Sequence, residues 1–209
     1  MDTWELIDGE RTNLADLCEP LSPEQWDTVT LCDAWRVRDV VAHVSATATI
    51  TLGQATLGLF RHGFSVGRML EQEAIKRGSA PTDELVAELR ATVGTRRVPP
   101  GTKPESVLAD AVIHQQDIRR VVGMPRAIEP ERLRAALEQT RTTSVSLLPG
   151  KKRVAGLHLR AMDLDWETGD AGAPEVTGPA EALLMAMAGR PSACADLSGT
   201  GLETLRSRL

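Results

Sequence analysis

The sequence predicts a mainly α protein, a helical bundle followed by a small α+β extension, and three observations carry that expectation. Apolar residues recur at helical spacing in one segment after another as far as Gly150. Ser, Pro and Gly punctuate those segments where helices start and stop. After Gly150 the pattern changes to alternation, as in strands. The implied organisation is a bundle over 1–150 and an extension over 151–209, and 209 residues suffice to bury a sizeable core.

Residues 3 to 18 carry Leu6, Ile7, Leu14 and Leu17 on one face, and Pro20 closes this first helix. Ser22-Pro23-Glu24-Gln25-Trp26 reads as a short capped helical turn, with Pro at its first position. From Val37 to Phe60 the chain is nearly continuous Val, Ala, Leu and Thr, and His43 is the sole ionisable group between Asp39 and Arg61. A helix apolar on most faces belongs in the centre of a bundle. A shorter helix follows over about 65–76, ended by Gly78, and another starts at Pro81 with acids in its first turn, where the helix dipole favours them.

Pro104 opens a long helix that ends before Gly123, and Pro130 opens one more that runs towards Leu148. Beyond Gly150, alternation through Val154, Gly156, His158 and Arg160 breaks near Met162 and resumes at Leu164, as in a hairpin. A final helix begins at Pro179 and ends at Gly189.

Composition narrows the function. The net charge of −5 gives no electrostatic reason to expect nucleic acid or an anionic membrane as partner. Cys18, Cys32 and Cys194 are odd in number and lack CxxC spacing, which argues against both a disulfide framework and a thiolate metal site. The first residues show no basic and apolar leader, and no apolar run is long enough to span a bilayer. A cytoplasmic protein is expected, as monomer or homodimer.

The chemistry concentrates in Asp110-Ala-Val-Ile-His114-Gln-Gln-Asp117. Residues three and four apart on a helix share a face, so both carboxylates lie on the side of His114. Imidazole with carboxylate suits a divalent transition metal, and a third ligand from His43 would complete a site with open positions. The competing reading makes each histidine a hydrogen-bonded core residue and Asp117 the partner of Arg120 in a surface pair.

Asp39 is explained by helix-start electrostatics and stands at most behind the ligands. His62 and His158 have no partner by spacing. Arg119 and Arg120 are candidates to hold a substrate carboxylate, and Cys32 is close enough in sequence to the helix of His43 to be a nucleophile activated by it if the fold brings them together, although a cysteine in a loop is usually inert.

The segment Thr30-Leu-Cys-Asp-Ala-Trp35-Arg-Val-Arg-Asp39-Val-Val-Ala-His43 resembles the N-terminal signature of the mycothiol-dependent maleylpyruvate isomerase family, within the wider DinB-like group. Asp110 to Arg120, with Gly123 and Pro125, is similar to its second signature, and the likeness continues to Leu197-Ser-Gly199.

The resemblance implies a DinB-like four-helix bundle with a divalent metal, zinc or nickel, held by His43, Asp110 and His114. The characterised isomerase has Glu at the place of Asp110, which keeps Asp117 as the alternate ligand. Mycothiol is implied as cosubstrate, with an electrophilic small molecule as the other reactant, in an isomerase or S-transferase reaction. The alternative is a non-catalytic, metal-stabilised protein that binds a small ligand or serves a stress response. The extension is also expected to be shorter than the C-terminal domain of the full isomerase.

Overall fold

The computed structural model describes residues 2–32, 34–145 and 147–209, and the fold is mainly helical with one small sheet. The chain divides into two compact units, Met1–Arg126 and Ala127–Leu209. The sequence break near Gly150 marks a change of secondary structure, and the division by packing falls earlier.

The first unit contains α1 (Thr3–Cys18), α2 (Pro23–Trp26), α3 (Val37–Thr49), α4 (Leu52–Arg61), α5 (Val66–Gly78), α6 (Thr82–Ala91) and α7 (Pro104–Val122). Helices α1, α7, α3 and α6 each pack against the next and close a ring, and α5 lies along α3. Leu14, Leu17, Val40, Val41, Val44, Leu85, Leu89 and Ile118 fill its interior with Trp26 and Trp35. Local chemistry agrees with this arrangement. The Ser22 hydroxyl accepts the Gln25 N–H at 3.3 Å, and the Gln25 side chain accepts the Ser22 N–H at 2.9 Å, a reciprocal cap for α2. Gly123 ends α7 in the left-handed region at φ 68°, where a side chain would be strained.

The expectation of one buried helix over 37–60 is corrected. Ile50 is extended (φ −61°, ψ 130°), and Thr51 starts a new helix by exchanging hydrogen bonds with Gln54 at 3.3 and 2.9 Å. That Thr-x-x-Gln box satisfies the orphan N–H groups of a second helix, so breaking the chain there costs little. Helix α4 then lies at the surface, with Leu52 69% and Phe60 70% exposed.

The second unit contains α8 (Pro130–Thr142), a turn of helix α9 (Gly150–Arg153), strands β1 (His158–Ala161), β2 (Glu167–Thr168) and β3 (Glu175–Gly178), α10 (Ala180–Met187), a 3-10 turn (Pro191–Asp196) and α11 (Leu202–Arg206). β1 and β2 form the expected antiparallel hairpin, Leu159 facing Thr168. The alternation before His158 does not make strand, because Gly150–Arg153 is helical and Gly156 turns the chain at φ 69°. β3 joins β1 in parallel, His158 beside Glu175 and Ala161 beside Gly178, giving the order β2-β1-β3. Helix α10 packs on β1, β3 and α8, and the Trp166 indole donates to Glu138 on α8 at 2.8 Å. Among the described residues no helix is long and apolar enough to cross a membrane.

Gly78 shows how tightly α5 meets α3. A Cβ there would collide with the Asp39 side chain and come within 3.0 Å of its Cα. Asp39 is occupied in holding Arg36 at the start of α3, with Nε to Oδ2 at 3.1 Å, so it has little room to give. Gly78→Ala is expected to destabilise the protein by about 1–3 kcal/mol, read as a lowered urea midpoint; an unchanged midpoint would refute that tight packing.

Candidate metal centre

His43 lies two turns into α3, on a helix whose neighbouring Val40, Val41 and Val44 are buried in the core. Asp110 and His114 lie one turn apart on α7, which packs against α3. Both imidazoles are buried, whereas a third of the Asp110 side chain remains accessible. The structure therefore brings together the three residues expected from two distant segments.

His43 Nε2 lies 3.5 Å from Asp110 Oδ2, and His114 Nε2 lies 3.4 Å from Asp110 Oδ1. These are ion-pair distances, longer than N–H···O hydrogen bonds. Asp110 Oδ2 is buried and accepts no hydrogen bond among the described residues, an expensive condition for a carboxylate oxygen. The three residues offer donor atoms within 4.8 Å of one another. Ligands about 2.1 Å from a tetrahedral ion are separated by about 3.4 Å, so the spacing fits a metal better than it fits hydrogen bonding.

Asp117 is fully buried on the other side of His114, accepting from its Nδ1–H at 2.9 Å. That contact fixes the ring and directs Nε2 towards Asp110. Burial would raise the Asp110 pKa, but His114 and His43 hold it well below the usual carboxylate range. For His114, burial opposes the charged form, yet Asp110 and Asp117 together lift its pKa to about 10.

Trp35 was not foreseen as part of this place. Its ring centroid is 4.6 Å from that of His43 and 5.4 Å from that of His114, and the imidazoles themselves meet edge to face at 5.1 Å. Its indole N–H is buried without an acceptor among the described residues. Trp35 precedes α3 in an irregular segment, so no periodicity marked it. Cys32, from the same segment, comes near His114 and Asp117, not into the group that contains His43. Asp33, between them, lies outside the described residues.

The remaining candidates have other employment. Asp39 accepts from the Arg36 backbone at 3.0 Å and stabilises the α3 start. Arg119 donates to Gln115 at 3.2 Å and to the Met124 carbonyl at 3.0 Å, and Arg120 is half-buried in the last turn of α7. His158 faces Glu167 and Glu175 across the small sheet at 3.6 and 3.8 Å. His62 follows the last turn of α4. The Cys18 thiol is pushed up to about 12 by burial, and burial raises that of Cys194 as well, so neither offers a thiolate at neutral pH.

A cavity of about 390 Å³ opens beside His43, between α3, α4 and α5. Sequence reasoning missed it, because it exists only where α4 separates from α3.

Comparison with known proteins gives two findings. The family of mycothiol maleylpyruvate isomerase N-terminal domains matches residues 7–119. In structure, the chain is similar to the crystal structure of the mycothiol-dependent maleylpyruvate isomerase (TM-score 0.56) and to that of a histidine-to-alanine variant of it (TM-score 0.57). Each is 14% identical, over 95% of this chain and 91% of that chain. No curated protein matches the sequence.

In metal-free protein, the raised His114 pKa contributes stability that is complete below its ordinary value of 6.5 and lost as pH rises through about 10. The denaturation midpoint should fall over that window, and Asp110→Asn should flatten the fall; an equal slope in both proteins would refute the coupling.

Proposed function

Because the chain belongs to the family of mycothiol maleylpyruvate isomerase N-terminal domains, we propose that it holds one divalent metal ion, zinc or nickel, on His43, Asp110 and His114. It uses that ion on a small-molecule thiol, mycothiol, and an electrophilic substrate, in a reaction of isomerase or S-transferase type. The observation that carries this reading is the Asp110 carboxylate set between two imidazoles, Oδ2 at 3.5 Å from His43 and Oδ1 at 3.4 Å from His114, with Oδ2 buried and without a hydrogen bond among the described residues. Three side-chain donors are also the number found where a metal keeps a position open for chemistry.

A divalent ion bound here supplies Lewis acidity, lowering the pKa of a coordinated thiol or water so that a nucleophile exists at neutral pH. The protein's own groups do the rest. His43 and His114 are buried and Trp35 packs on both rings, which excludes water and limits their rotation. Asp117 holds the His114 proton on Nδ1 and leaves Nε2 as the donor, acting behind the ligand while Asp110 serves as the third ligand. The inert Cys18 and Cys194 are consistent with an external thiol.

A metal-stabilised protein that binds a small ligand without turnover would use the same cavity beside His43, and the turnover assay separates it from the enzyme; the cavity speaks only against a purely structural metal. A site closed by a fourth protein ligand would not need such a space.

Purified protein should contain about one equivalent of zinc or nickel, and chelation should lower its melting temperature, since a ligand of the folded state alone stabilises it. His43→Ala and His114→Ala should abolish retention, and Asp117→Asn should weaken metal affinity about 10–100-fold. Metal loading should also change the tryptophan fluorescence of the native protein and not of Trp35→Phe. Failure to take up metal after reconstitution, with no shift in melting temperature, would sink the reading. With metal bound, turnover of maleylpyruvate or another electrophile only when mycothiol is present would establish the enzyme; thiol-independent binding alone would favour the non-catalytic protein.

A further inference from the structure

The cavity beside His43 is built from one face of each of three helices. His43, Ala46 and Ile50 come from α3 and its end, Gln54, Leu57 and Arg61 from α4, and Met69, Glu73 and Lys76 from α5. Each set follows helical spacing, so the three faces converge as a consequence of packing. The wall formed by α4 is placed by Gly58, where a Cβ would stand 2.8 Å from Met69 Sδ.

The lining has two characters. Ile50, Leu57, Met69 and Leu70 give an apolar surface, whereas Arg61, Lys76 and Arg77 bring positive charge to the same space. Arg77 is taken up by Glu88 at 3.2 Å. Arg61 and Lys76 have no acidic partner among the described residues within ion-pair distance, and Glu73 offsets one of them. One positive charge is left in surplus. Both helix ends favour cations through the dipole, which explains where along α4 and α5 these residues occur. It does not explain why both line a cavity that has His43 in its wall.

We infer that this cavity is the substrate site and that it takes a small monoanion, a carboxylate on a short apolar body, with the carboxylate held by Arg61 and Lys76 and the body on Ile50, Leu57, Met69 and Leu70. The inference rests on the proposed metal reading, because the space would carry the far end of the substrate towards His43. Its volume of about 390 Å³ falls within the range of small-molecule sites. It assigns anion binding to α4 and α5 in place of Arg119, whose guanidinium is already engaged by Gln115 and Met124.

The test is calorimetric titration of the zinc-reconstituted full chain with octanoate, octan-1-ol and octylamine, which share one apolar body. Octanoate should bind at least about tenfold more tightly than the alcohol or the amine, as expected for a charge-assisted hydrogen bond. In the double variant R61Q/K76Q, octanoate should fall to the level of octanol, with zinc content and melting temperature unchanged. Octanoate binding no tighter than octanol would overturn the proposal. So would octanoate affinity that survives R61Q/K76Q, including the case in which His114→Ala abolishes it and so puts the carboxylate on the metal. If no zinc is retained, the metal reading fails, yet the octanoate selectivity and its loss in R61Q/K76Q still decide the site.

Discussion

A helix that carries Asp110, His114 and Asp117 on one face and packs that face inward must compensate for every charge it takes out of water. Burying an unpaired carboxylate or imidazolium costs several kcal/mol. Helix α7 meets this constraint by facing α3, which places His43 against Asp110. Asp117 is satisfied by His114 Nδ1, and Asp110 stands between the two imidazoles. The arrangement of the first unit follows from this. Helix α3 must run beside α7 in one register, and Val40, Val41, Val44 and Ile118 seal the interior around the polar patch. On its other side α7 is tied to α1, where Gln115 donates to the Glu10 carbonyl at 3.2 Å, and Arg126 pairs with Glu10 at 2.7 Å.

Half of the candidate site was legible along the chain and half was not. The i, i+4 spacing of Asp110 and His114 put them on one face without any knowledge of the fold. His43 is separated from them by nearly seventy residues; its place in an apolar helical stretch made it a candidate third ligand, and the resemblance around Trp35 and His43 strengthened that pairing. Trp35 and Cys32 sit in an irregular segment, where no period exists to predict a direction. The cavity was invisible for a related reason, since it depends on where α4 departs from α3.

That departure is the main fold feature misread from composition. An apolar run from Val37 to Phe60 suggested continuous burial, but hydrophobicity does not mark a helix boundary. The Thr51-x-x-Gln54 box does, and it was present in the sequence. By contrast, α1, α2, α5, α6 and α7 have starts and stops written in local capping chemistry, and their bounds lie close to those expected. In the second unit the hairpin of β1 and β2 was legible because its partners are neighbours in sequence. The parallel pairing of β3 with β1 was not, because it is made across an intervening connection and leaves no local signature.

At 14% identity, the likeness to the isomerase shows a shared fold, and a fold hosts chemistry without dictating it. The parts of this chain most constrained by packing are the ones that hold His43 and His114. The parts least constrained are on α4, where Gly58 alone is buried and the side chains at 57 and 61 are free to change without cost to the core. Substitution at those positions would alter what enters the cavity while leaving the imidazole pair untouched. On the proposed reading, a fixed metal site beside a freely variable wall would separate the reaction from the choice of substrate. On that reading the identity of the substrate would follow from Ile50, Leu57, Arg61, Met69 and Lys76 of this chain, and not from the name of its structural relative.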